Sequence, residues 1–116
     1  MNAQQVFDKV ATHLLTQKKR AVVNADFERC MYRAPAGRKC AAGCLITDRN
    51  YRKEMEGKTI DLVARLFKLP QFFQKHRSLI QDLQMVHDVY QPNEWRSSLR
   101  RVAESHNLNT DALKRV

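Results

Sequence analysis

The sequence lacks the features that mark membrane-bound and secreted proteins. It has no run of about 18 apolar residues, so no segment predicts a membrane-spanning helix. Its N-terminal residues do not show the charged and then apolar pattern of a secretory signal. Its three cysteines are an odd number, which argues against a disulfide framework and favours reduced thiols. We therefore expect a cytoplasmic protein that makes no contact with a membrane.

The sequence also lacks internal repeats and low-complexity segments. Its hydrophobic content of 43% and its charged content of 28% lie in the range of ordinary globular proteins, which argues against wholesale disorder. A chain of 116 residues is long enough to bury one hydrophobic core but not two. We predict a single domain over residues 1–116.

Positive charge dominates the chain and is concentrated in one segment. The net charge is +9, and residues 29–53 alone contribute +6, because Asp48 is their only acid. The seven basic residues of this segment are Arg29, Arg33, Arg38, Lys39, Arg49, Arg52 and Lys53. Such a segment is typical of proteins that bind nucleic acid, a nucleotide or an acidic protein surface. An ordinary solvated surface is the alternative interpretation.

Residues 30–46 are the most unusual stretch of the chain. They contain all three cysteines, two of the three glycines and one of the three prolines. Residues 30–33 have strand character, residues 34–37 favour a turn, and residues 39–46 favour a second strand. This pattern predicts a β-hairpin. The small residues around Gly43 indicate that another backbone approaches closely there.

Most of the remaining sequence shows helical periodicity. Residues 3–17 predict an amphipathic helix with Asn2 as its N-cap. A short helix capped by Thr59 is expected next, then a long helix from residue 70 to about residue 90, and a last helix after Pro92. The predicted fold class is α+β and mainly helical, with about four helices packed on one small β-hairpin.

The cysteines and histidines suggest a metal site as one possibility. A zinc ion needs four ligands, and the C-x9-C-x3-C spacing with one histidine supplies that number. No C-x2-C or C-x4-C pair is present, and Cys40 and Cys44 would lie roughly 13 Å apart in a strand. We favour buried apolar roles for the thiols. The prediction is no metal ion and no cofactor.

A cysteine nucleophile is the second possibility. Cys30 and Cys40 lie among arginines and lysines, which favour the reactive thiolate. His87 is the candidate base and Asp88 the residue that orients it. The flanking residues match no protease signature, and a histidine at the edge of an apolar stripe is commonly a buried structural residue. We predict that the protein is not an enzyme.

The sequence supports an anion-binding site better than it supports a metal site or a cysteine nucleophile. Tyr32, Arg33, Arg38 and Lys39 flank the predicted turn with cationic groups and a stacking ring. The G-x4-G-K-[S/T] motif of P-loop proteins is absent. The predicted binding residues are Tyr32, Arg33, Arg38, Lys39, Arg49, Arg52 and Lys53. The alternative is a structural hairpin whose arginines pair with nearby acids, namely Glu54, Glu56 or Asp61.

The motif C-x-Y-R-x-P-x-G-x-K-C-A-x-G-x-L-I, at residues 30–46, resembles that of a family of small uncharacterised proteins of phages and prophages. The resemblance continues in M-E-G at residues 55–57, L-Q-x-V-H-D at residues 83–88 and W-R-x-x-L at residues 95–99. It implies an accessory protein of the host-takeover or anti-defence inhibitor type, acting in the cytoplasm of the host cell. Such proteins generally act by binding.

These motifs also suggest that distant residues share one site. A hairpin lying on the long helix near His87 and Asp88 predicts that Tyr32 or Arg33 pairs with Asp88. The leading hypothesis is a protein that binds a host protein or protein–nucleic-acid complex through the basic hairpin and the loop after it. Direct binding of nucleic acid or a nucleotide is the second hypothesis. An enzyme that uses Cys30 or Cys40 with His87 is the third.

Overall fold

A computed structural model describes residues 1–22 and 30–116 of the chain, so Arg29 of the basic segment lies outside the described residues. Within these ranges it contains seven α-helices. They are α1 (Ala3–Gln17), α2 (Ala41–Leu45), α3 (Ile60–Leu66), α4 (Phe72–Lys75), α5 (Arg77–Val89), α6 (Trp95–Ser105) and α7 (Asp111–Lys114). Short 3₁₀ turns cover Pro35–Gly37, Lys53–Met55 and Pro92–Glu94. None of the described helices is both long and apolar enough to cross a bilayer.

The predicted α+β fold with a β-hairpin is wrong, because the described residues form an all-α fold without a sheet. Two isolated antiparallel bridges are present, one between Val22 and Cys30 and one between Arg33 and Lys39. The second bridge closes the predicted turn, where the Ala34 N–H donates to the Arg38 carbonyl over 2.8 Å. The turn therefore exists, but it connects no strands among the residues described.

Residues 41–45 form a helix where a strand was predicted. The Cys40 sulfur caps this helix by accepting a hydrogen bond from the Gly43 N–H over 3.3 Å. Ala41 and Ala42 are strong helix formers. A Cβ atom on Gly43 would lie 2.1 Å from the Tyr32 carbonyl oxygen, which confirms the predicted close approach of another backbone. Glycine at this position lets α2 pack directly against residue 32.

Helix α1 lies at the centre of the core and packs against α2, α5, α6 and α7. The predicted Asn2 cap is confirmed, since its side chain accepts from the Gln5 N–H over 2.8 Å and the Gln5 side chain accepts from the Asn2 N–H over 2.8 Å. Phe7 and Leu14 of α1 are completely buried. Trp95 at the start of α6 is also completely buried, and its indole N–H donates to the Tyr90 carbonyl.

The predicted helix over residues 70–90 is divided in two at His76. This residue leaves helical geometry, with φ −110° and ψ 32°, and its ring Nε2 lies 3.1 Å from the Met1 carbonyl oxygen. The break separates α4, which buries Phe73, from α5, whose apolar stripe includes Leu83. No proline or glycine stands at the break to indicate it in the sequence.

The segment that leads into the last helix is hydrogen-bonded to the first helix. The Gln4 side chain donates to the Asn109 carbonyl over 3.1 Å and accepts from the Asn109 N–H over 2.9 Å. The Arg96 guanidinium donates to the carbonyls of Leu113 and Val116. Helix α7 is thereby held against both α1 and α6.

Candidate binding sites

A cleft of about 540 Å³ opens between α5 and two loop segments, and we call it the Asp88 cleft. One wall is formed by α5, and the other by residues 30–32 with residues 57–61. The α5 residues that line it are Gln81, Gln84, Met85, Asp88 and Val89. Met85 is 55% exposed and Val89 63% exposed, and both line the same cleft. The cleft is therefore partly apolar and open to solvent.

Asp88 pairs with His87, as predicted, but not with Tyr32 or Arg33. One of its carboxylate oxygens accepts from His87 Nδ1 over 2.7 Å and from Gln84 Nε2 over 3.0 Å. The Tyr32 hydroxyl instead donates to the Lys58 carbonyl over 2.5 Å, and neither Tyr32 nor Arg33 hydrogen-bonds to Asp88. Burial acts to raise the pKa of Asp88, but hydrogen bonds from His87, Cys30 and Gln84 outweigh it and hold the pKa below its usual value.

His87 is fully buried and both of its ring nitrogens are used. Its Nε2 accepts a hydrogen bond from the Ala21 backbone N–H over 2.9 Å. Because an amide always donates, the proton of the ring must be on Nδ1, which donates to Asp88. The ring also stacks on Trp95, with 5.7 Å between the ring centroids. This arrangement fixes the ring and leaves Nε2 with no lone pair to accept a proton from a nucleophile.

Cys30, His87 and Asp88 bring their potential metal-ligating atoms within 4.8 Å of one another. A metal ion on His87 Nδ1 would require the ring proton to move to Nε2. Nε2–H would then face the Ala21 N–H, and two hydrogen-bond donors would oppose each other. The hydrogen bonds of these three residues to each other explain the cluster better than metal coordination does.

The cysteine environments do not favour a nucleophile. None of the three cysteines forms a disulfide. Burial raises the pKa of the Cys40 thiol and raises that of Cys44 to about 12. The Cys30 side chain hydrogen-bonds to the Asp88 carboxylate. At Cys40, the arginines and lysines close in sequence therefore do not produce the activated thiol that their spacing suggested.

Arg33 lies in an internal network. Its guanidinium is 2.7 Å from the Asp48 carboxylate, donates to the Ile46 carbonyl over 3.0 Å and lies 4.6 Å from the centre of the Tyr51 ring. The side chain is only 22% exposed. Arg33 thus connects the turn region to the loop that follows α2. This agrees with the alternative interpretation, in which the arginines pair with nearby acids, but the acid that pairs with the Arg33 side chain is Asp48.

Glu56 completes this network from the other side of the loop. Its carboxylate accepts from the backbone N–H groups of Tyr32 and Arg33 over 2.9 and 3.1 Å. It also accepts from the Tyr51 hydroxyl over 2.6 Å. Burial and this carboxylate raise the pKa of Tyr51 to about 12. Glu56 was predicted only as a possible acid partner of the arginines, and the folded chain shows that it holds the backbone of Tyr32 and Arg33 instead.

Residues 47–53 form what we call the basic loop. Arg49, Arg52 and Lys53 are all exposed. The Arg52 guanidinium donates to the carbonyls of Arg49 and Tyr51 over 3.0 and 2.8 Å, so this side chain closes its own loop. Within the part of the chain that the structure describes, the side chains of Arg49 and Lys53 form no ion pair or hydrogen bond. Their charges are available to a partner.

Arg38 and Lys39 lie elsewhere, beside α1. The Lys39 backbone exchanges two hydrogen bonds with the Gln17 side chain, each 2.9 Å long, and its carbonyl accepts from His13 Nε2 over 2.8 Å. Next to it a shallow depression of about 590 Å³ is lined by two threonines, a lysine and an arginine, namely Thr12, Thr16, Lys19 and Arg38. Five of the seven predicted binding residues therefore fall into two groups. Of the other two, Tyr32 lines the Asp88 cleft and Arg33 lies in the internal network with Asp48.

Comparisons with protein-family models, with curated proteins and with solved structures found no match. The similarity of the sequence motifs to those of phage and prophage proteins stays a prediction. The features of this protein that bear on its function are the two basic groups and the Asp88 cleft.

Proposed function

We propose that this protein is a phage or prophage accessory protein that acts by binding, with its basic loop placed on an acidic surface of a host protein or protein–nucleic-acid complex. The observation that carries the proposal is the contrast within residues 46–56. Arg33 anchors this segment by donating to the Ile46 carbonyl and pairing with the Asp48 carboxylate. Glu56 joins it to the preceding turn by accepting from the backbone N–H groups of Tyr32 and Arg33. Arg49 and Lys53 project from it without internal partners among the described residues.

This arrangement favours recognition by charge. A loop that is already ordered loses less conformational entropy when a partner binds. Exposed cations also attract an acidic surface over a distance and suppress encounters with basic ones. The host-takeover or anti-defence role comes from the resemblance of the sequence motifs, and the basic loop supplies a contact surface that fits it.

The thiol and imidazole environments support binding over catalysis. A nucleophilic cysteine needs a lowered pKa, whereas Cys40 and Cys44 have raised ones. A general base needs a ring nitrogen able to accept a proton, whereas His87 Nε2 is occupied by the Ala21 amide. We therefore propose no role in covalent catalysis for these residues.

The proposal is tested by a tagged capture experiment from a bacterial host lysate, with and without nuclease. The variant is Arg49→Glu/Lys53→Glu, which leaves Arg52 to close the loop and Arg33 in its network. We expect the wild type to retain a host complex after nuclease treatment, and the variant to retain at least about tenfold less of it. The amounts are measured by mass spectrometry with isotope-labelled standards.

The matched control is Arg65→Glu/Lys75→Glu, which reverses the same number of charges on α3 and α4. Both residues are exposed. This control should capture as much as the wild type. Equal capture by both variants would remove the basic loop as the contact. An equal loss in both would mean that only the net charge matters. Circular dichroism of each variant checks that the helices are intact.

Direct binding of nucleic acid or a nucleotide is the second candidate, and the depression beside α1 favours it. Two hydroxyls (Thr12 and Thr16) and two cations (Lys19 and Arg38) line one concave surface, which suits a phosphate group. The same capture experiment separates the candidates, because material bound through nucleic acid is lost with nuclease. Arg38→Glu/Lys19→Glu would then be the variant that abolishes binding.

A further inference from the structure

The Asp88 cleft differs in charge from the rest of this basic protein. Its lining residues include two carboxylates, Asp61 and Asp88, and one cation, Lys58, within the described chain. The Lys58 ammonium donates to the Glu54 carbonyl over 2.6 Å and is thus already hydrogen-bonded. In a protein of net charge +9, the cleft is therefore a local acidic site.

Each carboxylate is held in place by an amide side chain of α5. Gln81 donates to Asp61 over 2.7 Å, and Gln84 donates to Asp88 over 3.0 Å. The Asp61 and Asp88 side chains remain 38% and 37% exposed. Asp61 also has the highly exposed Arg77 at 3.9 Å, a distance at which an exposed ion pair contributes little. Both carboxylates are oriented and still open to a ligand.

Apolar side chains lie beside these carboxylates. Met85 and Val89 stand one helical turn apart on the exposed side of α5, and Met31 and Ile60 line the opposite wall. The cleft volume of about 540 Å³ is within the range of sites for small organic ligands. Its chemistry is that of an apolar surface with fixed negative charges.

We infer that the Asp88 cleft binds an organic cation, in which an ammonium or guanidinium group pairs with Asp88 or Asp61 and an apolar body packs on Met85 and Val89. The same chemistry is carried by a free aliphatic amine and by a lysine or arginine side chain in an apolar peptide. The inference does not depend on the proposed function, because the cleft and the basic loop use different residues.

The test uses three probes of equal length and different charge: hexylammonium, hexanol and hexanoate. Each is titrated into the full chain labelled with ¹⁵N, and the backbone amides of Thr59 and Gln84 are followed by NMR. We expect hexylammonium to shift these signals with a dissociation constant in about the millimolar range, hexanol to bind more weakly and hexanoate not to bind. Equal binding of all three, or no binding of hexylammonium, would overturn the inference.

Two variants test whether the Asp88 and Asp61 carboxylates bind the cation. Asp88→Asn preserves an oxygen for the His87 and Gln84 donors, so the local hydrogen bonds persist while the charge is lost. It should weaken hexylammonium binding at least about fivefold, and Asp61→Asn should also weaken it. The control is Asp111→Asn, which removes one exposed carboxylate from α7 and should bind hexylammonium as the wild type does. Unchanged affinity in both cleft variants would contradict the assignment.

The source of the cation is distinguished by a fourth probe, the peptide acetyl-Leu-Lys-Leu-amide. Tighter binding of the peptide than of hexylammonium at the same amides indicates a side chain of a partner protein, and the reverse order indicates a free amine. Arg49→Glu/Lys53→Glu should bind hexylammonium as well as the wild type does. A failure of the capture experiment with retained amine binding would therefore count against the basic loop alone.

Discussion

At the scale of single residues, His13 shows how one partly buried imidazole affects the pH dependence of stability. Its Nε2 lies 2.8 Å from the Lys39 carbonyl oxygen, so this nitrogen carries a proton and donates. Burial lowers the pKa of His13, the Lys39 charge lowers it further, and the hydrogen bond to the carbonyl opposes both. In the folded protein this histidine resists taking a second proton.

We expect His13→Gln to reduce the loss of stability at mildly acidic pH. The folded pKa lies below the unfolded value of 6.5, so the unfolded chain takes up the proton first. The stability contributed by His13 is complete above that value and is lost as pH falls below it. Glutamine keeps an N–H donor for the Lys39 carbonyl and does not titrate.

The measurement is urea unfolding at pH 7 and pH 5. The difference in unfolding free energy between the two pH values should be smaller in His13→Gln than in the wild type. An equal difference in the two proteins would exclude His13 as the source of acid sensitivity.

Residue identity alone could not separate structural arginines from exposed ones. Arg33 and Arg49 both lie in the same basic segment of the sequence. Whether a guanidinium is committed depends on which carbonyls, acids and rings the folded chain places around it. For Arg33 these are Ile46, Asp48 and Tyr51, all supplied by a loop whose course periodicity does not predict.

At the scale of elements, α2 depends on its surroundings. A helix of five residues is not stable in isolation, because helix nucleation is costly. Here the Cys40 sulfur caps it, the Gln84 side chain accepts from the Ala42 N–H over 2.8 Å, and α1 and α5 pack on it. These contacts come from distant parts of the chain, which is why residues 39–46 were predicted as a strand.

Gly43→Ala should destabilise the protein by more than about 2 kcal/mol, although alanine is the better helix former by about 1 kcal/mol. The new Cβ would lie 2.1 Å from the Tyr32 carbonyl oxygen, and backbone atoms would have to move. Urea unfolding measures the change.

The comparison variant is Gly37→Ala, at a position with open space but a positive φ of 73°. We expect it to cost about 1–2 kcal/mol, from backbone strain alone. If Gly43→Ala were as stable as the wild type, the close packing of α2 on residue 32 would be disproved.

The other helices show what periodicity predicts well. Helix α1 has a continuous apolar stripe and a capping box, and both its existence and its start were predicted. The start of α3 was likewise predicted from its Thr59 cap, and that of α6 from the preceding Pro92. The break at His76 has no such signal, because no proline or glycine stands there. Local chemistry predicts helix starts here better than interruptions.

At the scale of the whole molecule, the described basic residues of the charged segment are divided between different elements. Arg38 lies beside α1, whereas Arg49 and Lys53 belong to the basic loop, and the Asp88 cleft is acidic. The sequence supplies the total charge, but the separation of these regions follows only from the fold. Asp61 and Asp88 are distant in sequence and share a cleft because α5 folds against the segment after Gly57.

This separation predicts a modest salt dependence for the proposed host complex. With the basic loop alone in contact, raising salt from 50 to 200 mM should weaken affinity by less than about tenfold, whereas a binder with six to ten phosphate contacts loses about 10³–10⁵ over the same range. Biolayer interferometry with the captured and purified complex gives the dissociation constants. A steep loss would favour the nucleic-acid candidate instead.

The link between Gln4 and Asn109 has a consequence for the order in which the chain folds. These partners are 105 residues apart in sequence, and α1 is covered by helices that the chain reaches only later. Closing so long a loop costs entropy before the contacts compensate it. During synthesis, the apolar face of α1 therefore stays incompletely covered until α5, α6 and α7 have left the ribosome. The first helix of the sequence is among the last to be completed in the native core.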